Sequence, residues 1–565
     1  MHISYGVYDE AFKMTGREGA RAELPKAARS IRLVMGQNDF AACSVLVSAD
    51  VPFNLHLGER AWFTQRGNVP TVRLSTDLPL SVEMYHEMTH RAHKPREYAD
   101  ALLPVDVKEY DADRVGAVYV MVRADKMAEP GTYCGKIRLF ASHLLEREEL
   151  IGEIDLTVEV IGYRVRSGKE NTFYLDLWQH PCNIARHADV RLWSDEHFAV
   201  MEQYLRSLAE LGQRALTLVV SEIPWSGQGC ISNPESGSNI FEYSIIPVRR
   251  HADGTFSYDF SILQRYIDLA AACGIREELS IYGLVGVWTQ GMFTKPAEDY
   301  PDGVRVRYLD EVSGCYDYMR RACDIDDYVR ALEQYFIATK QIDRVRVAAD
   351  EPSDVEKFRL SLEHLHATAP AFKFKAALNY VEFIEEFGDK FYDFAPYLHC
   401  TRDKLDVLRR FKRTMPGKRF LWYTCCGPAR PNYFLHSPLV EAYLVGILTH
   451  IYGMDGYLRW SYTVWTRDPM HDASYNDWEV GDMFIVYPGA NGHPIKSLRY
   501  YALKRGIQFF ELLKSYRRRF GKRRTDELLR PLFTSTDVKR FDTTYTTEYA
   551  DYEALRRTLL TELAK

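Results

Sequence analysis

Two adjacent acids, Asp350 and Glu351, close the apolar-alternating run Arg344-Val345-Arg346-Val347-Ala348-Ala349, and Pro352 stops it. Neighbouring carboxylates repel where water is scarce, so setting them side by side gains the fold little. Chemistry that needs one acid protonated and its neighbour charged gives the pair a use. The competing reading is a solvated strand-to-helix loop in which Asp350 or Ser353 caps the next helix. The dipeptide alone favours the cap; its surroundings reverse that preference. Other strand candidates end on or near Asp176, Trp178, Glu222, Trp225, Trp288, Asn379, Tyr380, Trp422, Tyr423, Trp460, Tyr462 and Trp465, with Trp478 and Asp482 further on. These residue types suit a sugar, whose C–H faces stack on aromatic rings and whose hydroxyls bond carboxylates and amides.

A second constellation competes with the first. His86-Glu87-Met88-Thr89-His90 fits the zinc-protease pattern H-E-x-x-H, which needs a helix to bring both histidines onto one metal. Here Val82, Met84, His86 and Met88 alternate with Glu83, Tyr85, Glu87 and Thr89 between Pro79 and Pro95, a period of two. The metzincin extension fails as well, with His93 at its Gly position and Arg96 at its third His. On a strand the two histidines stand about 13 Å apart, too far to share one ion. The expectation is a sandwich strand with exposed histidines and no metal.

The elements that must position the acids change character near Arg164 to Asn171. Before that point, short alternating runs such as Ser44-Val45-Leu46-Val47, Val72-Arg73-Leu74, Ala117 to Val122 and Leu156 to Val160 are separated by Pro and Gly, which predicts an antiparallel β-sandwich over residues 1–165. After it, strand candidates alternate with amphipathic helices: Thr172–Trp178, Arg214–Val220, Leu279–Val285, Arg344–Ala349, Lys373–Leu378, Asp393–Cys400, Arg419–Cys425 and Gly456–Tyr462. Eight alternations predict an α/β (β/α)₈ TIM barrel with C-terminal helices over residues 166–565. Barrels of this kind carry chemistry at the C-terminal ends of their strands, where Asp350 and Glu351 follow the fourth.

Composition narrows the function. Net charge is −6, and the basic run Arg517 to Arg524 lacks interleaved aromatics beyond Phe520, so no nucleic-acid footprint exists. The N-terminus has no basic stretch followed by an apolar core, and no run of about 18 apolar residues follows, which predicts a soluble cytoplasmic protein without a membrane partner. Ten scattered cysteines fit a reducing compartment, and the adjacent Cys425-Cys426 are too close for an unstrained bridge. Gly283-Leu284-Val285-Gly286 is no dinucleotide fingerprint, and no phosphate loop or serine elbow appears.

Ala349-Asp350-Glu351-Pro352, Leu421 to Cys426, Ser437 to Ala442, Gly453 to Trp460, Gly481-Asp482 to Gly489, and Leu498-Arg499 to Gln508 resemble the catalytic domain of glycoside hydrolase family 123. That domain largely coincides with domain-of-unknown-function family 4091. The resemblance spans the chain, because that family also places a β-sandwich before its barrel. It implies an exo-acting β-N-acetylgalactosaminidase that uses the substrate's own acetamide as nucleophile, with no cofactor and no metal. The family's acid-base matches Glu351, and the residue assisting the acetamide matches Asp350. Tyr423 is the candidate donor to the acetamide oxygen, and Trp460 or Trp422 the candidate for its hydrophobic wall. Asp482, Asn379 and Asp176 are candidates for sugar hydroxyls. The expected partner is a β-linked N-acetylhexosamine glycoside or short oligosaccharide. The long, tyrosine-containing stretch from Thr289 to Asp324 leaves room for a different specificity. Alternatives are a retaining glycosidase for β-N-acetylglucosaminides or non-acetamido sugars, and a non-catalytic carbohydrate-binding barrel.

Overall fold

A computed structural model describes residues 1–17, 24, 28–59, 69–93, 96–143, 146–224, 241–287, 295–474 and 479–565. Trp225, Trp288 and Trp478 lie outside the described residues.

Alternating apolar runs in the first 164 residues build two six-stranded sheets. In Val115–Ala124, Val118, Val120 and Val122 face the other sheet with Val45 and Val47, forming one core. Tyr119 and Met121 on the opposite face join the core that continues into the barrel half. This sheet is thus covered on both sides, which explains why Asp39–Ala49 and Val115–Ala124 are buried almost throughout. The strand pairing is mainly antiparallel, with two parallel pairs: Ser30–Gln37 with Glu149–Arg164, and Phe53–Leu57 with Thr71–Thr76.

The H-E-x-x-H segment lies in strand Ser81–His93. Its expected exposure is wrong, for His86 and His90 are fully buried. The strand pairs with Val115–Ala124 only as far as Glu87, and register shifts between Met88 and Thr89 as the ribbon moves onto the barrel half. His86 therefore lies against Tyr110 of the second sheet, while His90 stacks on Tyr487 at 4.5 Å.

Eight parallel strands follow, curled into a nearly closed sheet. They are Tyr174–Leu177, Ala215–Val219, Glu278–Tyr282, Val345–Asp350, Lys373–Leu378, Asp393–Pro396, Arg419–Tyr423 and Gly456–Arg459. A single bridge, Leu175 to Gln213, joins the first strand to the second. Strand six ends sooner than expected because Pro396 cannot extend the ladder, and Leu398–Asp403 is helical. Partnered residues of parallel strands share a face. The pairs Tyr282 with Ala348, Asp350 with Ala377, and Tyr423 with Leu458 therefore put the even-numbered residues of strand four and the odd-numbered ones of strands five and seven on one face. That face is the interior, where Lys375 on strand five bonds Asp176 on strand one and Glu278 on strand three at 2.7 Å.

Helices lie between the strands, among them Asp195–Leu211, whose Ser194 cap accepts from the His197 amide and whose end is turned by Gly212 at φ 93°. Helix Leu498–Leu529 breaks helical geometry at Gly521. The last helix, Tyr549–Ala564, returns to the sandwich, where Arg556 bonds Asp39 and the Phe40 carbonyl. Among the described residues no helix is long and apolar enough to cross a membrane.

Candidate active site

In an extended strand neighbouring side chains point to opposite faces, so Asp350 and Glu351 could not both enter the barrel if the strand simply continued. It does not continue. Asp350 is the last residue of strand four, and Glu351 has φ 44°, a left-handed backbone that glutamate adopts at a cost. The amide of Glu351 still bonds the Ala377 carbonyl at 3.1 Å, which anchors the turn to strand five. The turn swings Glu351 back over the strand ends. There Tyr423, on the interior face of strand seven, donates its hydroxyl to one carboxylate oxygen. Asn379, one residue beyond strand five, donates its amide to the other at 3.3 Å.

Burial pushes the Glu351 carboxyl above the usual glutamate range; the Tyr423 hydroxyl opposes the shift and the nearby Asp482 charge adds to it. Burial likewise raises Asp482, with the Arg459 guanidinium pulling it down. Asp482 is fully buried and its two oxygens are engaged, one by Arg459 at 2.7 Å and the other by the Trp460 indole N–H at 3.1 Å. Trp178 packs edge-on against Tyr282 at 4.7 Å, and Trp460 meets His180 edge-on at 6.1 Å. Tyr397, just past strand six, lies 5.4 Å from the Tyr423 ring. A cleft of about 120 Å³ opens beside the acids, lined also by Gly286, Val287, Asp302, Pro352, Lys357 and Phe358. The Asp302 carboxylate accepts three amides of this rim, from Gly286 at 2.8 Å, Val287 at 3.0 Å and Gly303 at 2.7 Å. Among the described residues no group of three His, Cys, Asp or Glu is placed to hold a metal ion.

A carboxylic acid held above its ordinary range and bonded at both oxygens can keep a proton and deliver it. Residues 178–516 match the glycoside hydrolase 123 catalytic domain. The chain belongs to glycoside hydrolase family 123. A family 123 glycoside hydrolase from Clostridium perfringens, whose structure was analysed for glycolipid glycan hydrolysis, is similar over 100% of this chain and 99% of its own, at 18% identity and TM-score 0.79. This likeness places the fold of both halves in the family. A β-D-glucuronidase of Dictyoglomus thermophilum, at 13% identity and TM-score 0.33 over 84% of this chain and 68% of its own, is too distant to carry an argument. No curated protein sequence matches the chain.

For a family 123 chain the expected residues separate into two groups. Asp350, Glu351, Asn379, Tyr423, Trp178 and Trp460 stand at the interior strand ends, and Asp482 supports them from behind. Tyr423, the expected donor to the acetamide oxygen, donates to Glu351. The other expected residues have different neighbours. Asp176, buried on the interior face, pairs with Lys375 through one oxygen. Trp422 points outward, its indole N–H on Thr449 of helix Val440–Tyr452. Tyr462 bonds Ser207 at 2.7 Å, and Trp465 bonds the Val486 carbonyl at 2.7 Å, both fully buried behind the barrel. Tyr380, 46% exposed, leans on Phe383 at the rim without touching the acids. Tyr282, Tyr397 and Arg459 were missed. A count by twos along strands three and six would have found the two tyrosines, as Tyr282 and Tyr397 follow inward-facing Ser280 and Ala395.

Proposed function

We propose that this chain is a retaining exo-glycosidase that removes terminal β-linked N-acetylgalactosamine by substrate assistance, its parallel sheet serving as a (β/α)₈ barrel. The observation that carries the reading is the left-handed turn at Glu351, which aims consecutive carboxylates into one site. An ordinary retaining enzyme uses two carboxylates about 5 Å apart across the sugar, one of them the nucleophile. Asp482 does not suit that role, since Arg459 with Trp460 holds both its oxygens. In the proposed reaction the nucleophile is the sugar's own acetamide oxygen. It attacks the anomeric carbon as the glycosidic C–O bond breaks, and an oxazolinium ion forms. Ionised Asp350 accepts the acetamide N–H, orients it and offsets the developing positive charge. Glu351 gives its proton to the departing oxygen, then takes one from the water that opens the ring, so configuration is retained. Trp178, Tyr282 and Trp460 supply the apolar floor, and Asn379 is placed to bond Glu351 or a sugar hydroxyl.

A panel of aryl β-glycosides with and without the 2-acetamido group tests this. The N-acetylgalactosaminide should be cleaved far faster than the galactoside; equal rates would sink the mechanism. Glu351→Gln should lower kcat by about 10²- to 10⁴-fold, and less for leaving groups that need no proton.

A further inference from the structure

Two residues past Tyr423, strand seven runs into Cys425 and Cys426, whose sulfurs lie 3.7 Å apart. The Cys425 amide bonds the Gly427 carbonyl at 3.0 Å, so the pair sits in a tight turn and not in extended chain, where neighbouring side chains diverge. Cys426 is exposed and Cys425 half-buried. The same turn passes Tyr397, since a side chain added at Gly427 would meet its hydroxyl at 2.7 Å. Burial raises the Tyr397 hydroxyl, and Cys425, Cys426 and Glu351 are close enough to add to the shift.

We propose that Cys425 and Cys426 form a dithiol modification site at the wall of the catalytic pocket, taking thiophilic electrophiles of the trivalent-arsenical class, and that its occupation stops hydrolysis. The proposal rests on the glycosidase reading for its effect, but not for its chemistry. An internal disulfide between neighbours is strained, and zinc wants about four ligands where no third is placed among the described residues. A three-coordinate soft centre needs two sulfurs on one side, which is what the turn presents. With an arsenoxide R–As=O, two S–As bonds form and two S–H bonds break. The oxygen leaves as water with both protons, and arsenic keeps its oxidation state. The two sulfurs share a contact in which either can donate, and it lowers Cys426 below an ordinary thiol while raising Cys425, so Cys426 is the sulfur that attacks first. The adduct then occupies the space beside Tyr397 and Glu351.

The full chain treated with one equivalent of phenylarsine oxide is followed by intact mass and by hydrolysis of an aryl β-N-acetylgalactosaminide. One arsenical per chain is expected, with about a 10²-fold loss of hydrolysis. Excess 2,3-dimercaptopropanol should reverse it, and 2-mercaptoethanol should not. Cys426→Ser should retain no arsenical and should keep hydrolysing in its presence. Failure of the wild type to retain the arsenical, or equal retention by Cys426→Ser, overturns the dithiol site. Stoichiometric retention with undiminished hydrolysis overturns control of catalysis. Retention by a chain inactive from the outset supports the site and overturns the glycosidase reading instead.

Discussion

Glu351 must still carry its proton at the pH where the leaving oxygen needs one, and its three neighbours pull in different directions. Burial and Asp482 hold the proton on, whereas the Tyr423 hydroxyl favours the ionised form. Tyr423→Phe removes only the last influence. The Glu351 carboxyl should therefore rise further, and the alkaline limb of kcat/KM, which reports loss of the acid's proton, should move to higher pH. Losing a hydrogen bond to a charged group should also cost about 10- to 100-fold in kcat/KM near neutrality. A pH profile separates the two effects, since a merely structural role would lower the whole curve without moving its limb. A limb displaced to lower pH would show that Tyr423 does not donate to Glu351 in the working enzyme.

Elements decide which residues can share a site, and here sequence reading succeeded unevenly. All eight barrel strands were legible, because a buried parallel strand is a short apolar run between turn residues and helices. Their parity was not. Trp422, Tyr462 and Trp465 were chosen for lying at strand ends, yet Trp422 is one residue off the inward set that only the register of neighbouring strands fixes, and Tyr462 and Trp465 lie past Arg459, where strand eight has ended and alternation no longer applies. The turn at Glu351 was equally hidden, since nothing in a glutamate announces a positive φ. The H-E-x-x-H strand was read correctly as a strand, but its burial depends on long-range covering. Glu87, 1% exposed, bonds Ser44 through one oxygen at 2.6 Å, and burial raises it from 4.5 to about 7. Between those values the folded chain holds a proton that the unfolded chain releases, so this contribution is whole below pH 4.5 and is lost as pH rises through about 7. Glu87→Gln keeps an acceptor for Ser44 without the charge. It should stabilise the fold by on the order of 3 kcal/mol above pH 7 and make little difference below 4.5, read as Tm against pH. A variant less stable than wild type at pH 8 would show that Glu87 is ionised at little cost.

Charges are buried where the two halves of the molecule meet. Arg505 on helix Leu498–Leu529 bonds both oxygens of Glu10 at 2.9 Å, Asp39 at 3.2 Å and the Phe40 carbonyl at 2.7 Å. Arg556 on the last helix completes a neutral quartet through the other oxygen of Asp39 at 2.5 Å. A second tie joins Arg499 to Asp100, which also accepts the Tyr487 hydroxyl at 2.8 Å. Such networks add little net stability over an apolar packing, but removing one member strands its partners in a medium that cannot solvate them. Arg505→Ala leaves Glu10 and Asp39 facing a single guanidinium, so the fold should lose about 3–5 kcal/mol. Since a strand, the turn at Glu10 and two helices share the network, the loss should shift one cooperative transition, seen alike by near-ultraviolet dichroism and calorimetry. Among the described residues no bond of the quartet reaches Glu351, Asn379, Tyr423 or Asp482, so kcat per folded molecule should stay at the wild-type value. An early transition confined to part of the molecule, with the remainder melting as before, would show that sandwich and barrel are independent and that the quartet serves docking alone.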